Sequence, residues 1–129
     1  MRNTKPINKI ILILDTIGQL SEFYSIADIV FMGGSLIKKG GHNIIEPARF
    51  GKAVLFGPYM NNFRDMANRF LSKGASVMVK DKHRLKEVIR SLLKDKTRIA
   101  DMGEKAAFLI EQNKGAVSEI IGEIKKVLI

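Results

Sequence analysis

The chain has 129 residues, no cysteine and a formal net charge of +9, and 46% of its residues are hydrophobic. That length corresponds to about one domain, and this hydrophobic content can form a core, which argues against a disordered chain. The absence of cysteine excludes disulfides and thiolate metal sites, and it fits a reducing, cytosolic environment.

The positive charge is spread along the chain rather than gathered into a patch. Residues 1–64 carry eight Lys and Arg against four Asp and Glu, and residues 65–129 carry fourteen against nine. Such interleaving is typical of solvated helix faces, and attraction to an anionic membrane surface or to phosphates comes second. Nucleic-acid binding would rest on the net charge alone and is not expected. His42 and His83 are far apart in sequence, so no metal site is expected.

Short apolar runs alternate with amphipathic segments along the chain. Strands are predicted at residues 10–14, 28–32, 53–56 and 76–79, and helices at 20–27, 42–50, about 61–72 and 81–93. The rest, from about 97 to 128, is predicted to be helical with interruptions at Gly103 and near residues 113–115. Strands that alternate with helices predict an α/β fold with a Rossmann-like parallel sheet, in which ligands bind outside the carboxyl ends of the strands.

The number of predicted strands also bears on domain organisation. Four are fewer than the five or six of a typical nucleotide-binding domain, and residues 1–9 carry no strand signal. We therefore expect residues 1–129 to be a single, truncated domain with a helical C-terminal tail from about residue 82. The apolar run at 10–14 is too short for a membrane-spanning helix or a signal peptide, so a soluble, unexported protein is expected.

The segment from Phe31 to Phe63 holds the residues that indicate a binding site. Gly33-Gly34-Ser35 follows a predicted strand, where backbone N–H groups and a hydroxyl can approach a phosphate. An isolated run of this kind is more often a tight turn. The second glycine pair, Gly40-Gly41, directly precedes a His-Asn dipeptide and favours the functional interpretation.

Two polar residues at the start of the predicted 42–50 helix are further candidates. Asn43 and Glu46 are three residues apart, so their side chains would point toward the same ligand. Glu46 is either a structural capping carboxylate or an acceptor of hydrogen bonds from the two hydroxyls of a ribose, and both interpretations stay open. His42 by itself is more often a packed histidine than a catalyst.

Together these segments resemble one protein family. DTIGQL, FMGGSL, GGHNIIEPARFGKAVLFGPYMNNF and NKGA are similar to the C-terminal half of 3-deoxy-D-manno-octulosonic acid (Kdo) transferases, which are bacterial glycosyltransferases with two Rossmann-like domains in the GT-B arrangement. The resemblance implies part of the C-terminal domain, which holds the donor CMP-Kdo. It implies inverting transfer of Kdo to a lipid A precursor in lipopolysaccharide biosynthesis, at the cytoplasmic side of the inner membrane.

The resemblance also implies which residues bind the donor. They are Ile17, Gly18, Gln19, Gly33, Gly34, Ser35, Asn43, Ile44, Ile45 and Glu46. Gly33, Gly34 and Ser35 would border the phosphate and the Kdo, the others would contact CMP, and Glu46 would accept from the ribose. The family usually has Glu in place of Gln19 and Pro-Leu in place of Ile44-Ile45. No metal or other cofactor is implied, because protein donors stabilise the leaving phosphate.

The rest of the family's machinery has no counterpart in this sequence. In the family the N-terminal domain supplies the catalytic carboxylate, the acceptor groove and the membrane-binding surface. No catalytic residue is therefore expected in this chain, and the chain alone is expected to be inactive. Two alternatives stay open: a GT-B enzyme that uses another nucleotide sugar, in which a matching Glu also holds a ribose, and a non-catalytic, truncated gene product.

Overall fold

The computed structural model describes residues 4–6, 12–14 and 19–128. In chain order the strands and helices are β1 Thr4–Pro6, β2 Leu12–Leu14, α1 Leu20–Ile26, β3 Ile29–Phe31, α2 Ile45–Arg49, β4 Ala53–Phe56, α3 Arg64–Ser72, β5 Ser76–Met78, α4 Lys82–Leu93 and α5 Lys96–Leu128. A 3₁₀ turn at Asn61–Phe63 leads into α3. None of the helices in this part of the chain combines the length and apolar character needed to cross a bilayer.

The predicted parallel sheet is present, with strand order β3-β4-β5. Val30 pairs with Val54, and Leu55 pairs with Val77, so the three strands run in the same direction. All four residues of the central strand β4 are buried, as expected for a strand covered on both faces. The expectation of an α/β fold is confirmed.

The first predicted strand does not join this sheet. Its described residues form β2, which pairs antiparallel with β1, so that Thr4 lies opposite Leu14. The prediction of one four-stranded sheet is therefore wrong, as is the absence of a strand within residues 1–9. Thr4-Lys5-Pro6 has no apolar alternation, and a strand this short depends on its partner rather than on its own sequence.

Alternation along β4 divides the core into two layers. Val54 and Phe56 belong to a cluster with residues of α2, α3 and α5, including Ala48, Phe70 and Leu109. Ala53 and Leu55 belong to a second cluster, built mainly with α4 and its flanking segments. Side chains of successive strand residues point to opposite faces, so this short strand anchors both layers.

The C-terminal helix is continuous, which contradicts the predicted interruptions at Gly103 and near residues 113–115. α5 runs for 33 residues. Directly before its first residue, Asp95 accepts a 3.1 Å hydrogen bond from the N–H of Arg98. Gly103 is a contact point rather than a break: a Cβ built there would lie 1.9 Å from the carbonyl oxygen of Gly51. The glycine allows α5 to approach the turn that follows α2.

Candidate functional site

The candidate site lies where β3 and β4 end, at the carboxyl edge of the sheet. After β3 the chain makes a loop whose two glycine pairs meet: the N–H of Gly41 donates to the carbonyl of Gly34 at 3.0 Å, and that of His42 donates to Gly33 at 3.1 Å. Gly34, Gly40 and Gly41 all have positive φ angles, between 70° and 85°. The glycines are therefore needed to close this loop.

Ser35 fixes the loop to the neighbouring strand. Its side chain is fully buried, and its Oγ donates to the carbonyl of Met32 at 2.6 Å while accepting from the N–H of Gly57 at 2.8 Å. Its carbonyl accepts from the N–H of Tyr59 at 2.9 Å. Ser35 thus holds the ends of β3 and β4 together, and its hydroxyl makes its hydrogen bonds within the protein.

The first glycine pair lies beside an imidazole. A Cβ built on Gly34 would come within 3.2 Å of Cδ2 of His42, and one built on Gly33 within 3.4 Å of the same atom. His42 is otherwise exposed. The glycines therefore allow the imidazole ring of His42 to lie close to the backbone at this edge.

Asn43 forms the turn that leads into α2. Its Oδ1 accepts a 2.9 Å hydrogen bond from the N–H of Ile45, which is an Asx-type turn just before the helix. α2 is shorter than the predicted 42–50 helix because it begins only after this turn. Pro47 falls in the first turn, where its missing N–H is not needed. Ile44 is fully buried.

Glu46 occupies the first turn of α2, and its side chain is half-buried. Within the described residues its carboxylate accepts no hydrogen bond from the backbone at the start of α2. Its negative charge instead acts on Tyr24 of α1: burial first, and then the Glu46 carboxylate, raise the pKa of the Tyr24 phenol. The Glu46 carboxylate is therefore near enough to Tyr24 to favour the neutral form of the phenol.

The α1 and α2 helices also meet through aromatic rings. The ring centroids of Tyr24 and Phe50 are 6.2 Å apart at an interplanar angle of 43°. Gln19 directly precedes α1, as its N-cap residue. It thus lies at one end of the helix that packs beside α2, whereas Ile17 and Gly18 lie outside the described residues.

Sequence reasoning missed a polar cavity beside the glycine loop. It has a volume of about 470 Å³ and is lined by Lys38, Lys39, Gly40, Tyr59, Asn61 and Asn62. The signal was present in the two lysines between the glycine pairs and in the Asn-Asn pair after Gly57-Pro58. The helix predicted from about residue 61 begins as α3 only at Arg64, directly after Phe63, and no side chain caps it.

Comparison with known proteins places this fold in a family. The family described as "Glycosyl transferases group 1" matches residues 2–108. The chain belongs to this family. The α/β fold with its parallel sheet matches the C-terminal domain of group 1 glycosyl transferases, which are of GT-B type.

Several curated relatives of this group 1 glycosyl transferase chain are named 3-deoxy-D-manno-octulosonic acid transferases. The chain is 35% identical over 120 residues to a 3-deoxy-D-manno-octulosonic acid transferase of Rickettsia typhi, an alignment that covers 92% of this chain and 26% of the relative. It is 38% identical over 106 residues to that of Chlamydophila psittaci, covering 81% and 24%. The chain thus spans about a quarter of the length of the curated relatives it matches.

A solved structure is similar over most of this chain. It is the crystal structure of the C-terminal CMP-Kdo binding domain of WaaA from Acinetobacter baumannii, with a TM-score of 0.66 and 26% sequence identity. The match covers 72% of this chain and 50% of that one. The expected resemblance to the C-terminal part of Kdo transferases is confirmed.

Proposed function

We propose that this chain binds CMP-Kdo as the donor-binding part of a Kdo transferase. The observation that carries the proposal is its structural similarity to a domain described as CMP-Kdo binding, at 26% identity and a TM-score of 0.66. Curated relatives named Kdo transferases support the same assignment. The family is enzymatic, and the chain corresponds to the C-terminal part of those enzymes.

The donor phosphate would bind at the first glycine pair. Gly33 and Gly34 follow β3 at the carboxyl edge of the parallel sheet, where ligands of such folds bind. Backbone N–H groups in a tight glycine turn make a concavity suited to an anion. In this proposal Ser35 borders the phosphate and the Kdo. Its hydroxyl already bonds Met32 and Gly57, so its contribution is to hold the glycine loop in place.

The ribose of CMP would be held by Glu46. A half-buried carboxylate that is not engaged in capping α2 is available to accept hydrogen bonds from both ribose hydroxyls. Asn43, Ile44 and Ile45 would form the rest of this segment, the backbone around Asn43 being fixed by its bond to Ile45. Ile17, Gly18 and Gln19 would also contact CMP.

The whole-protein activity that we propose is inverting transfer of Kdo from CMP-Kdo to a lipid A precursor, in lipopolysaccharide biosynthesis at the cytoplasmic side of the inner membrane. Acceptor binding, the catalytic base and membrane contact would be supplied by the N-terminal domain of the family. The donor part would stabilise the leaving CMP phosphate by positioned N–H donors, without a metal ion.

Nucleotide binding tests this proposal. We expect CMP to bind the chain more tightly than UDP in calorimetric titrations. We expect Glu46→Gln to weaken CMP binding by about tenfold, because it removes a charge-assisted acceptor while keeping the shape of the side chain. Glu22→Gln, at an exposed site on α1, is the matched control. Gln19→Glu, which restores the usual family residue, should leave CMP binding unchanged or improve it.

Each contrary result has a distinct meaning. Preference for UDP would show that the chain uses another nucleotide sugar. Unchanged CMP affinity in Glu46→Gln would show that Glu46 does not hold the ribose. Loss of the folded state in that variant would identify Glu46 as a structural residue of α2. Absence of any nucleotide binding would favour the non-catalytic alternative.

A further inference from the structure

We infer that the cavity lined by Lys38, Lys39, Tyr59, Asn61 and Asn62 binds a phosphate monoester. None of these residues is among those proposed to bind the donor. The cavity lies between residues 38–40 of the glycine loop and the segment that follows Gly57-Pro58.

The walls of the cavity are joined by one backbone hydrogen bond and one hydrogen bond from a side chain. The N–H of Asn62 donates to the carbonyl of Gly40 at 3.0 Å, and Nδ2 of Asn62 donates to that of Gly41 at 3.4 Å. A Cβ built on Gly40 would come within 2.6 Å of the Asn62 amide, so the two walls are in close contact. A site whose walls are already joined loses little conformational freedom when a ligand binds.

The lining chemistry selects an anion. It comprises two ammonium groups, two carboxamides and a phenol, with no carboxylate. Within the described part of the chain, neither Lys38 nor Lys39 is within ion-pair distance of an acid. Two lysines suit a doubly charged phosphate better than a singly charged carboxylate, and lysine binds phosphate as a point charge.

A second cavity combines two lysines with two carboxylates. It has a volume of about 530 Å³ and is lined by Lys73 and Lys105 together with Asp101 and Glu104. Nζ of Lys105 lies 2.8 Å from a carboxylate oxygen of Asp101. An anion would meet negative charge there, so that cavity provides a matched control.

The size of the first cavity indicates an ester rather than a free ion. Its volume of about 470 Å³ lies within the range of roughly 300–1,000 Å³ that is typical of small-molecule pockets. A bare phosphate would leave most of that space to water. Tyr59 and the asparagines offer donors and acceptors to the hydroxyl groups of an attached polyol or sugar.

The test is a titration of the isotopically labelled chain by NMR at physiological salt, which screens the diffuse positive charge. The probes are glycerol 3-phosphate, inorganic phosphate, acetate and CMP. We expect glycerol 3-phosphate to shift the amide signals of Gly40 and Asn62 and to bind more tightly than phosphate, with acetate weakest. Lys38→Gln/Lys39→Gln should weaken its binding by about tenfold or more, whereas Lys73→Gln should not.

Asn61→Asp provides a second, independent variant, because it keeps the shape of the cavity and adds a negative charge. We expect it to abolish binding of glycerol 3-phosphate while leaving CMP binding unchanged. Equal losses in Lys73→Gln and in the double variant would overturn the proposal in favour of diffuse attraction. Equal affinity for phosphate and its ester would indicate a free-anion site only. Displacement of glycerol 3-phosphate by CMP would assign the cavity to the donor site.

Discussion

The N–H of Gly57 donates a 2.8 Å hydrogen bond to Oγ of Ser35, which in turn donates to the carbonyl of Met32 at 2.6 Å. Ser35 and Gly57 are 22 residues apart in sequence, and this buried hydroxyl joins the segments that follow β3 and β4. A Cβ built on Gly57 would lie 2.2 Å from the Ser35 carbonyl oxygen, so the close approach also requires glycine. This junction sets the position of the glycine loop that precedes α2.

Replacing Ser35 with alanine tests the junction. Ser35→Ala leaves the buried N–H of Gly57 without its partner, so we expect the free energy of unfolding to fall by about 1–3 kcal/mol. Urea denaturation measures the change. Ser72→Ala is the control, because its Oγ makes an exposed bond to the carbonyl of Arg69 at 3.0 Å and its loss should change stability by no more than about 0.5 kcal/mol. Equal effects would show that the Ser35 bonds contribute no more than a surface bond.

The approach of α5 to the turn after α2 gives a second prediction. Gly103→Ala would place a methyl group 1.9 Å from the carbonyl oxygen of Gly51, so the backbone must move. We expect a loss of at least about 1–3 kcal/mol in the free energy of unfolding, as for other overpacked sites. Urea denaturation monitored by circular dichroism gives the value.

Gly115→Ala is the control for Gly103→Ala. Nothing lies within 4 Å of a Cβ built on Gly115, which belongs to the same helix. Alanine favours a helix over glycine by about 1 kcal/mol, so this variant should be more stable than the original chain. A gain in stability from both substitutions would contradict the close contact at Gly103.

The fold could be predicted from the sequence where short-range pattern decides the structure. β4 was predicted with its bounds as observed, because Ala53–Phe56 is a continuous apolar run between turn residues. The breaks predicted in α5 are wrong because glycine has two opposite uses: it ends helices by local preference, and it permits close packing within them. The contact between Gly103 and Gly51 is a tertiary contact between residues that are distant in sequence, so the local sequence does not predict it.

The candidate site was predictable in part for the same reason. Glycine pairs are visible in sequence, and they located the loop, whereas α2 begins at Ile45 rather than at the predicted residue 42. The burial of Ser35 was not visible, since its partner Gly57 is distant in sequence. Nor was the cavity beside Lys38 and Lys39, because its second wall comes from residues 59–62. The donor-binding roles themselves stay predictions.

The start of α4 gives a third prediction. Asp81 caps this helix by accepting a 2.8 Å hydrogen bond from the N–H of Arg84. Asp81→Ala should lower the free energy of unfolding by about 1 kcal/mol, whereas Asp81→Asn keeps an acceptor and should cost less. Thermal and urea denaturation of both variants measure this difference. Equal losses would attribute the effect to the charge of Asp81 rather than to its hydrogen bond.

The phenol of Tyr24 gives the last prediction. Burial first, and then the Glu46 carboxylate, raise its pKa above the usual value of about 10. The folded protein therefore holds this proton more tightly than the unfolded chain does. The resulting stability is fully present below pH about 10 and is lost as the pH rises through the higher pKa of the folded state.

Glu46→Gln removes the charge but not the burial, so the pKa of Tyr24 should fall part of the way toward its usual value. The phenolate absorbance in a Tyr59→Phe background reports this titration, because the chain has only two tyrosines. Glu22→Gln, at an exposed site on α1, should leave the pKa unchanged. An unchanged pKa in Glu46→Gln would show that its carboxylate does not act on Tyr24. Since CMP would bind at the same carboxylate, saturating CMP should also alter the titration of Tyr24 in the original chain but not in Glu46→Gln.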